Sequence, residues 1–126
     1  MSVPRLLIVD DDADNRGLFA LVLEHEGYVV TTADGGAEAL AMLAANPVDL
    51  VLLDIMMPGM TGYEVAIEIR ATPSLAATRI VMMTALDGNT VREQAFAAGA
   101  EDVFHKPLDR AQLCGRVKAL LELGGV

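Results

Sequence analysis

Cysteine, basic residues and long apolar runs are all scarce in this 126-residue chain. The single cysteine, Cys114, allows no intramolecular disulfide and no cysteine-based zinc site, which is typical of a protein from a reducing cytoplasm. Nine basic residues against eighteen acidic ones give a net charge of -9. Because nucleic acids and many membrane surfaces are anionic, this charge opposes binding to either. The partners that we expect are proteins or cations.

No apolar run reaches the ~20 residues that a membrane-spanning helix needs, and the first five residues lack the apolar core of a signal peptide. Hydrophobic residues are nevertheless abundant, at 53% of the chain. A chain of this length buries roughly two-thirds of its unfolded surface, which is enough for one full core. We therefore expect a soluble, cytoplasmic protein that forms one domain over residues 1–126.

Short apolar segments alternate with segments of helical periodicity along the chain. The apolar segments cover residues 5–9, 28–33, 50–53, 79–84 and 102–105. Strands that alternate with helices predict an α/β fold, in which right-handed crossovers place helices on both faces of a parallel sheet. We expect a doubly wound, flavodoxin-like (βα)5 architecture with a five-stranded sheet in the order 2-1-3-4-5, so that strands 1 and 3 are neighbours.

Carboxylates follow these two neighbouring strands. Asp10 and Asp11 come directly after the first strand, and Asp54 ends the third. Because ligands bind at the carboxyl ends of parallel strands, we expect these side chains around one crevice, with Thr84 and Lys106 at its rim. Clustered carboxylates raise each other's pKa unless a cation compensates. An all-oxygen site with room for water suits Mg²⁺, with Mn²⁺ as a substitute.

Four short motifs resemble those of the receiver domains of two-component response regulators. They occur in the family's order and at its spacing, and the likeness covers essentially all 126 residues. The motifs are Val9-Asp10-Asp11, the run from Asp54 to Gly62, Thr84-Ala85 and Lys106-Pro107. Each pair alone is a weak signal, whereas the four together are highly specific.

The resemblance implies a role for each residue of the crevice. Asp54 would accept a phosphoryl group from the phosphohistidine of a histidine kinase or a histidine phosphotransfer protein, and Thr84 and Lys106 would bind the phosphoryl oxygens. The metal ligands would be Asp10, Asp11, Asp54 and the backbone carbonyl of Met56. The surface formed by the fourth helix, the fifth strand and the fifth helix would carry the signal to a downstream protein, with no direct contact to nucleic acid or membrane.

This assignment agrees with the chemistry. Phosphoryl transfer needs a positioned nucleophile and neutralised phosphoryl oxygens, and an ionised Asp54 needs no general base. We therefore expect a phosphoacceptor with intrinsic autophosphorylation and autodephosphorylation chemistry rather than an enzyme. His25 and His105 are expected to be ordinary surface or rim residues, so the donor histidine belongs to a partner.

The resemblance is incomplete at Val103, because the family usually has Tyr or Phe three residues before the lysine. That ring turns inward when the threonine moves toward the phosphoryl group. Phe104 is adjacent, but strand alternation directs it to the opposite face, so we expect it in the core. Two apolar residues, Met56 and Leu86, are expected to flank the approach of hydrolytic water to Asp54 and to slow the loss of phosphate. Asp87 is the residue that could reach the same water.

The sequence argues against three other interpretations. A haloacid-dehalogenase-type phosphatase would use Asp10 as the nucleophile of an Asp-x-Asp pattern, but Asp14 replaces the expected Thr or Val and no cap domain is present. Asp12 and Asp14 are better explained as acids at a helix start. A flavin carrier would need hydroxyl and backbone donors for phosphate where this chain has carboxylates. A third interpretation is an input domain excised from a larger regulator. We expect a free-standing receiver instead, because the chain ends just past the last predicted helix.

Overall fold

The structure is a computed structural model that describes residues 3–86, 88–106 and 109–124. Its elements are β1 (Arg5–Val9), α1 (Ala13–His25), β2 (Val29–Ala33), α2 (Gly36–Ala45), β3 (Leu50–Asp54), α3 (Gly62–Ala71), β4 (Arg79–Thr84), α4 (Asn89–Ala98), β5 (Asp102–His105) and α5 (Arg110–Gly124). The five predicted strands are confirmed, and their bounds differ from the prediction by at most one residue. The predictions for Asp87 and Pro107 lie outside the described residues.

All four strand pairs are parallel, and the sheet has the order β2-β1-β3-β4-β5. The predicted fold class and strand order are therefore confirmed. Val9, the last residue of β1, pairs with Leu53, so Asp10 lies level with Asp54 at the end of β3. Asp54 in turn pairs with Met83, one residue before the end of β4. This register brings the ends of β1, β3 and β4 to one edge of the sheet.

The core lies on both faces of the sheet. Alternate strand residues, such as Leu50 and Leu52, pack against α1 and α5, whereas Val51 and Leu53 pack against α2, α3 and α4. All five residues of β3 are buried, which explains its continuous apolar pattern. Burial of two faces leaves only the edges and ends of the sheet open to solvent, and the crevice lies at one such end.

Side-chain caps fix where the helices next to the crevice begin. Asp12 caps α1 by accepting hydrogen bonds from the backbone N of Asp14 and of Asn15, at 2.9 and 3.1 Å. Its interpretation as a helix-start acid is therefore confirmed. Thr61 and Glu64 form a capping box at the start of α3. Within the described residues, no helix is long and apolar enough to cross a bilayer.

Candidate phosphoacceptor and metal site

The three carboxylates predicted to share a crevice do so. Oxygen atoms of Asp10, Asp11 and Asp54 all lie within 4.8 Å of one another. Asp10 is fully buried and Asp54 is 5% exposed, whereas Asp11 is exposed. The crevice therefore opens to solvent on the side of Asp11, and a small ion or a phosphoryl group can reach it there.

Lys106 connects two of these carboxylates. Its Nζ lies 3.2 Å from Oδ2 of Asp10 and 3.3 Å from Oδ2 of Asp54. The backbone N of Lys106 donates a 2.7 Å hydrogen bond to the carbonyl of Thr84, which ties the end of β5 to the end of β4. One ammonium group thus contacts two of the three carboxylates, and the crevice keeps an excess of negative charge when all three are ionised.

The electrostatics of Asp54 favour an additional cation. Burial raises the pKa of Asp54 to about 6, and the neighbouring Asp10 carboxylate acts in the same direction. The Lys106 ammonium opposes both effects and only partly offsets them. A divalent ion among these oxygens would stabilise the ionised carboxylate further, and the all-oxygen donor set fits Mg²⁺.

The buried carboxylate of Asp10 is held in one orientation. Its Oδ1 accepts a hydrogen bond from the backbone N of Asp12 at 2.9 Å, while its Oδ2 contacts Lys106. Its own backbone N donates to the carbonyl of Ala33 at the end of β2, at 3.2 Å. A carboxylate fixed at both oxygens loses little further freedom when it binds a ligand.

Thr84 is buried, whereas the apolar residues Met56 and Leu86 are exposed. Thr84 is 3% exposed, and its Oγ1 accepts a 2.9 Å hydrogen bond from the backbone N of Leu86. The side chains of Met56 and Leu86 are 57% and 47% exposed. Both residues therefore face solvent. Their effect on water, and the role of the Met56 carbonyl, stay predictions.

Val103 and Phe104 lie on opposite faces of the sheet, as strand alternation predicts. Val103 packs with the cluster under α2, α3 and α4, and Phe104 packs with the cluster under α1 and α5. Phe104 is 5% exposed, so its assignment to the core is confirmed. The side chains of His25 and His105 are exposed at the ends of α1 and β5, which also agrees with the prediction.

Sequence reasoning missed Arg16 and gave Gly62 no role beyond its place in the motif that begins at Asp54. A Cβ at position 62 would lie 2.5 Å from the carbonyl O of Asp54 and 2.8 Å from the Cα of Ile55, so the start of α3 packs directly on the backbone that carries Asp54. The Nη1 of Arg16 donates a 2.8 Å hydrogen bond to the carbonyl of Asp10. The sequence signals for the first contact were the place of Gly62 at the end of that motif and directly after a helix cap, whereas the second contact left none.

Comparison with known proteins gives one consistent family. The family model of the response regulator receiver domain matches residues 6–118. The response regulator PleD of Caulobacter vibrioides is 42% identical over 116 residues, and the transcriptional regulatory protein ResD of Bacillus subtilis is 43% identical over 117 residues. These alignments cover 92% and 93% of the chain but only 26% of PleD and 48% of ResD. The chain therefore spans less than half the length of these relatives.

Solved structures agree with the sequence relatives. The chemotaxis protein CheY4 of Vibrio cholerae matches with a TM-score of 0.90 at 29% identity, over 94% of this chain and 99% of that one. The response regulator protein TrrA of Thermotoga maritima, in complex with Mg²⁺-BeF, matches with a TM-score of 0.83 at 36% identity. That match also covers 94% of this chain and 99% of the other.

Proposed function

The chain belongs to the response regulator receiver domain family, and from this premise we propose that Asp54 accepts the phosphoryl group. In general, receiver domains are phosphoacceptor signalling domains and not enzymes. The observation that supports Asp54 is its place at the end of β3, where it is 5% exposed and lies beside the buried Asp10 carboxylate and the Lys106 ammonium. The phosphatase and flavin-carrier interpretations have no comparable support, since the family match covers both strands that carry the carboxylates.

The transfer step follows from this arrangement. The Asp54 carboxylate attacks the phosphorus of a phosphohistidine, and an O–P bond forms as the P–N bond breaks. The donor imidazole keeps the electron pair of that bond. Lys106, 3.3 Å from Asp54, neutralises charge on the phosphoryl oxygens, and the Thr84 hydroxyl contributes a hydrogen bond to them. The donor is a histidine kinase or a histidine phosphotransfer protein.

The metal site belongs to the same proposal. The carboxylates of Asp10, Asp11 and Asp54 and the backbone carbonyl of Met56 would hold Mg²⁺, and Mn²⁺ would substitute for it. A bound Mg²⁺ supplies positive charge for the phosphoryl oxygens. The relative TrrA was solved with Mg²⁺-BeF, which supports a magnesium site in this chain. The same crevice would support slow autophosphorylation from small donors and slow autodephosphorylation.

We assign the output to the surface formed by α4, β5 and α5. The hydrogen bond between Lys106 and the carbonyl of Thr84 links the crevice to β5, so a change at Thr84 reaches this surface directly. Added phosphoryl charge would bias a loop with two arrangements. Thr84 would move without the inward turn of an aromatic ring, because Val103 stands where the family usually has Tyr or Phe. We expect a downstream protein as the target and a cytoplasmic location, and the net charge of -9 disfavours direct contact with nucleic acid or membrane.

The experiment that tests the proposal measures intact mass. Incubation of the full chain with a small acyl-phosphate donor and Mg²⁺ is expected to add the mass of one phosphoryl group. Chelation of Mg²⁺ with EDTA should abolish the addition, because the carboxylates of the crevice then lose the cation that offsets their charge. Mass addition of equal extent with and without EDTA would refute a metal-dependent phosphoacceptor.

A second prediction concerns the lifetime of the acyl phosphate. The double variant Met56→Asn with Leu86→Glu is expected to lose phosphate faster than wild type, because polar side chains at the mouth can orient a water in line with the bond to Asp54. Decay of the phosphorylated mass is timed in excess Mg²⁺, once a titration has shown that the variant keeps the Mg²⁺ affinity of wild type. Equal decay, or slower decay in the variant, would mean that these two side chains do not gate the water.

A further inference from the structure

The peptide unit that joins Asp10 to Asp11 is held by a residue of α1. The Nη1 of Arg16 donates a 2.8 Å hydrogen bond to the carbonyl of Asp10. Because a peptide unit is planar, this one bond fixes the orientation of the plane from which the backbone of Asp11 departs. Asp10 itself is fully buried and anchored to Ala33 through its backbone N. Arg16 therefore holds the peptide unit that connects the fixed residue Asp10 to Asp11.

The Asp11 side chain has no other support. It is exposed, and among the described residues no hydrogen bond or ion pair to its carboxylate is found. On its other side the chain is fixed again, because the backbone N of Asp12 donates to Asp10 and the Asp12 side chain caps α1. The backbone from which the Asp11 side chain extends is thus held on both sides, and one of the two anchors is the bond from Arg16.

We propose that Arg16 is a positioning residue for the cation site. Its guanidinium holds the Asp10-Asp11 peptide so that the Asp11 carboxylate stays within 4.8 Å of those of Asp10 and Asp54. The inference rests on the proposed function, because it requires these three carboxylates to bind Mg²⁺. Groups that orient metal ligands from behind typically change metal affinity by about 10–100-fold when they are removed.

The charge of Arg16 acts in the opposite direction. A guanidinium next to a cation site repels the cation, so loss of the charge alone would tighten Mg²⁺ binding. Loss of the positioning bond would weaken it. The direction of the change in Kd therefore separates a positioning role from an electrostatic one.

The test is a calorimetric titration of the unphosphorylated full chain with Mg²⁺. Arg16→Met removes both the donor and the charge at similar length, and its Kd is expected to rise about tenfold. Arg16→Lys keeps the charge and one donor group, and it should recover part of the affinity. Arg5→Met removes an arginine at the opposite end of β1 and should leave the Kd unchanged. An unchanged or lower Kd for Arg16→Met, or an Arg16→Lys variant that binds no better, would overturn the inference.

A second measurement separates positioning from general structural damage. Arg16 contacts a backbone carbonyl and not the phosphoryl group, so saturating Mg²⁺ should return the labelling rate of Arg16→Met to the wild-type value. A deficit that persists at saturation would overturn the positioning role. If Arg16→Met does not fold in EDTA, the Mg²⁺ titration and the labelling rate at saturation are measured on Arg16→Lys instead. Failure of wild type itself to bind Mg²⁺ would refute the proposed function instead.

Discussion

The Asp54→Asn variant is expected to take up no phosphoryl group under conditions that label wild type. The neutral amide of asparagine is a far weaker nucleophile than a carboxylate, and no other carboxylate occupies the end of β3. The substitution changes neither the size of the side chain nor the burial of this strand end, where Asp54 is 5% exposed. The intact mass of the variant is measured after incubation with an acyl-phosphate donor and Mg²⁺. Labelling of this variant at the wild-type extent would exclude Asp54 as the acceptor.

The matched control for this variant is Asp12→Asn. Asp12 belongs to the same acidic run, and its side chain caps α1 through hydrogen bonds to the backbone N of Asp14 and Asn15. Asparagine caps helices as well as aspartate does, so the helix start should be preserved. We expect Asp12→Asn to be labelled like wild type. A loss of label in this control would mean that any neutralised acid near the crevice abolishes the reaction.

The unfolding of Asp54→Asn provides a check on the folded state. The pKa of Asp54 is raised from 3.8 to about 6 in the folded protein. Above pH 6 the carboxylate is ionised in both states, but its ionisation is less favourable in the folded state than in the unfolded chain. That charge lowers the free energy of unfolding at neutral pH, and the cost vanishes below pH 3.8, where both states are protonated. In EDTA at pH 7 the neutral variant should therefore be more stable than wild type, by up to about 3 kcal/mol. Denaturant unfolding at pH 7 and at pH 4 measures the difference and its decrease.

Gly62→Ala is expected to cause the largest loss of stability at the site. The added Cβ would lie 2.5 Å from the carbonyl O of Asp54 and 2.8 Å from the Cα of Ile55, and both are backbone atoms that cannot rotate away. Forcing extra volume into a packed region costs about 1–3 kcal/mol. The start of α3 or the end of β3 must shift, so labelling of Asp54 should also slow.

Gly17→Ala is the matched control. Gly17 lies inside α1, and a Cβ there would meet no atom within 4 Å. Alanine is the better helix former by about 1 kcal/mol, so this variant should be slightly more stable than wild type and labelled at the same rate. Denaturant unfolding and the labelling rate are measured for both variants. Equal stabilities of Gly62→Ala and Gly17→Ala would show that the start of α3 is not closely packed against the backbone of Asp54.

The sequence by itself determined the fold and the composition of the site. A buried parallel strand reads as a continuous apolar run, and alternation of such runs with helical segments leaves few possible topologies. The strand ends then located Asp10, Asp54 and Thr84 at one edge, because parallel strands all end on the same side of the sheet. These conclusions needed only local patterns and one topological rule.

The tertiary structure alone decided how the site is held. Lys106 contacts Asp10, 96 positions away in the sequence, because β1 and β5 flank the central strands in a particular register. The bond from Arg16 and the contact of Gly62 with Asp54 depend on the angle at which α1 and α3 leave the sheet. Such contacts leave no periodic trace, because each involves a single side chain or its absence. The raised pKa of Asp54 likewise comes from burial and from Asp10, which only the packed sheet brings together.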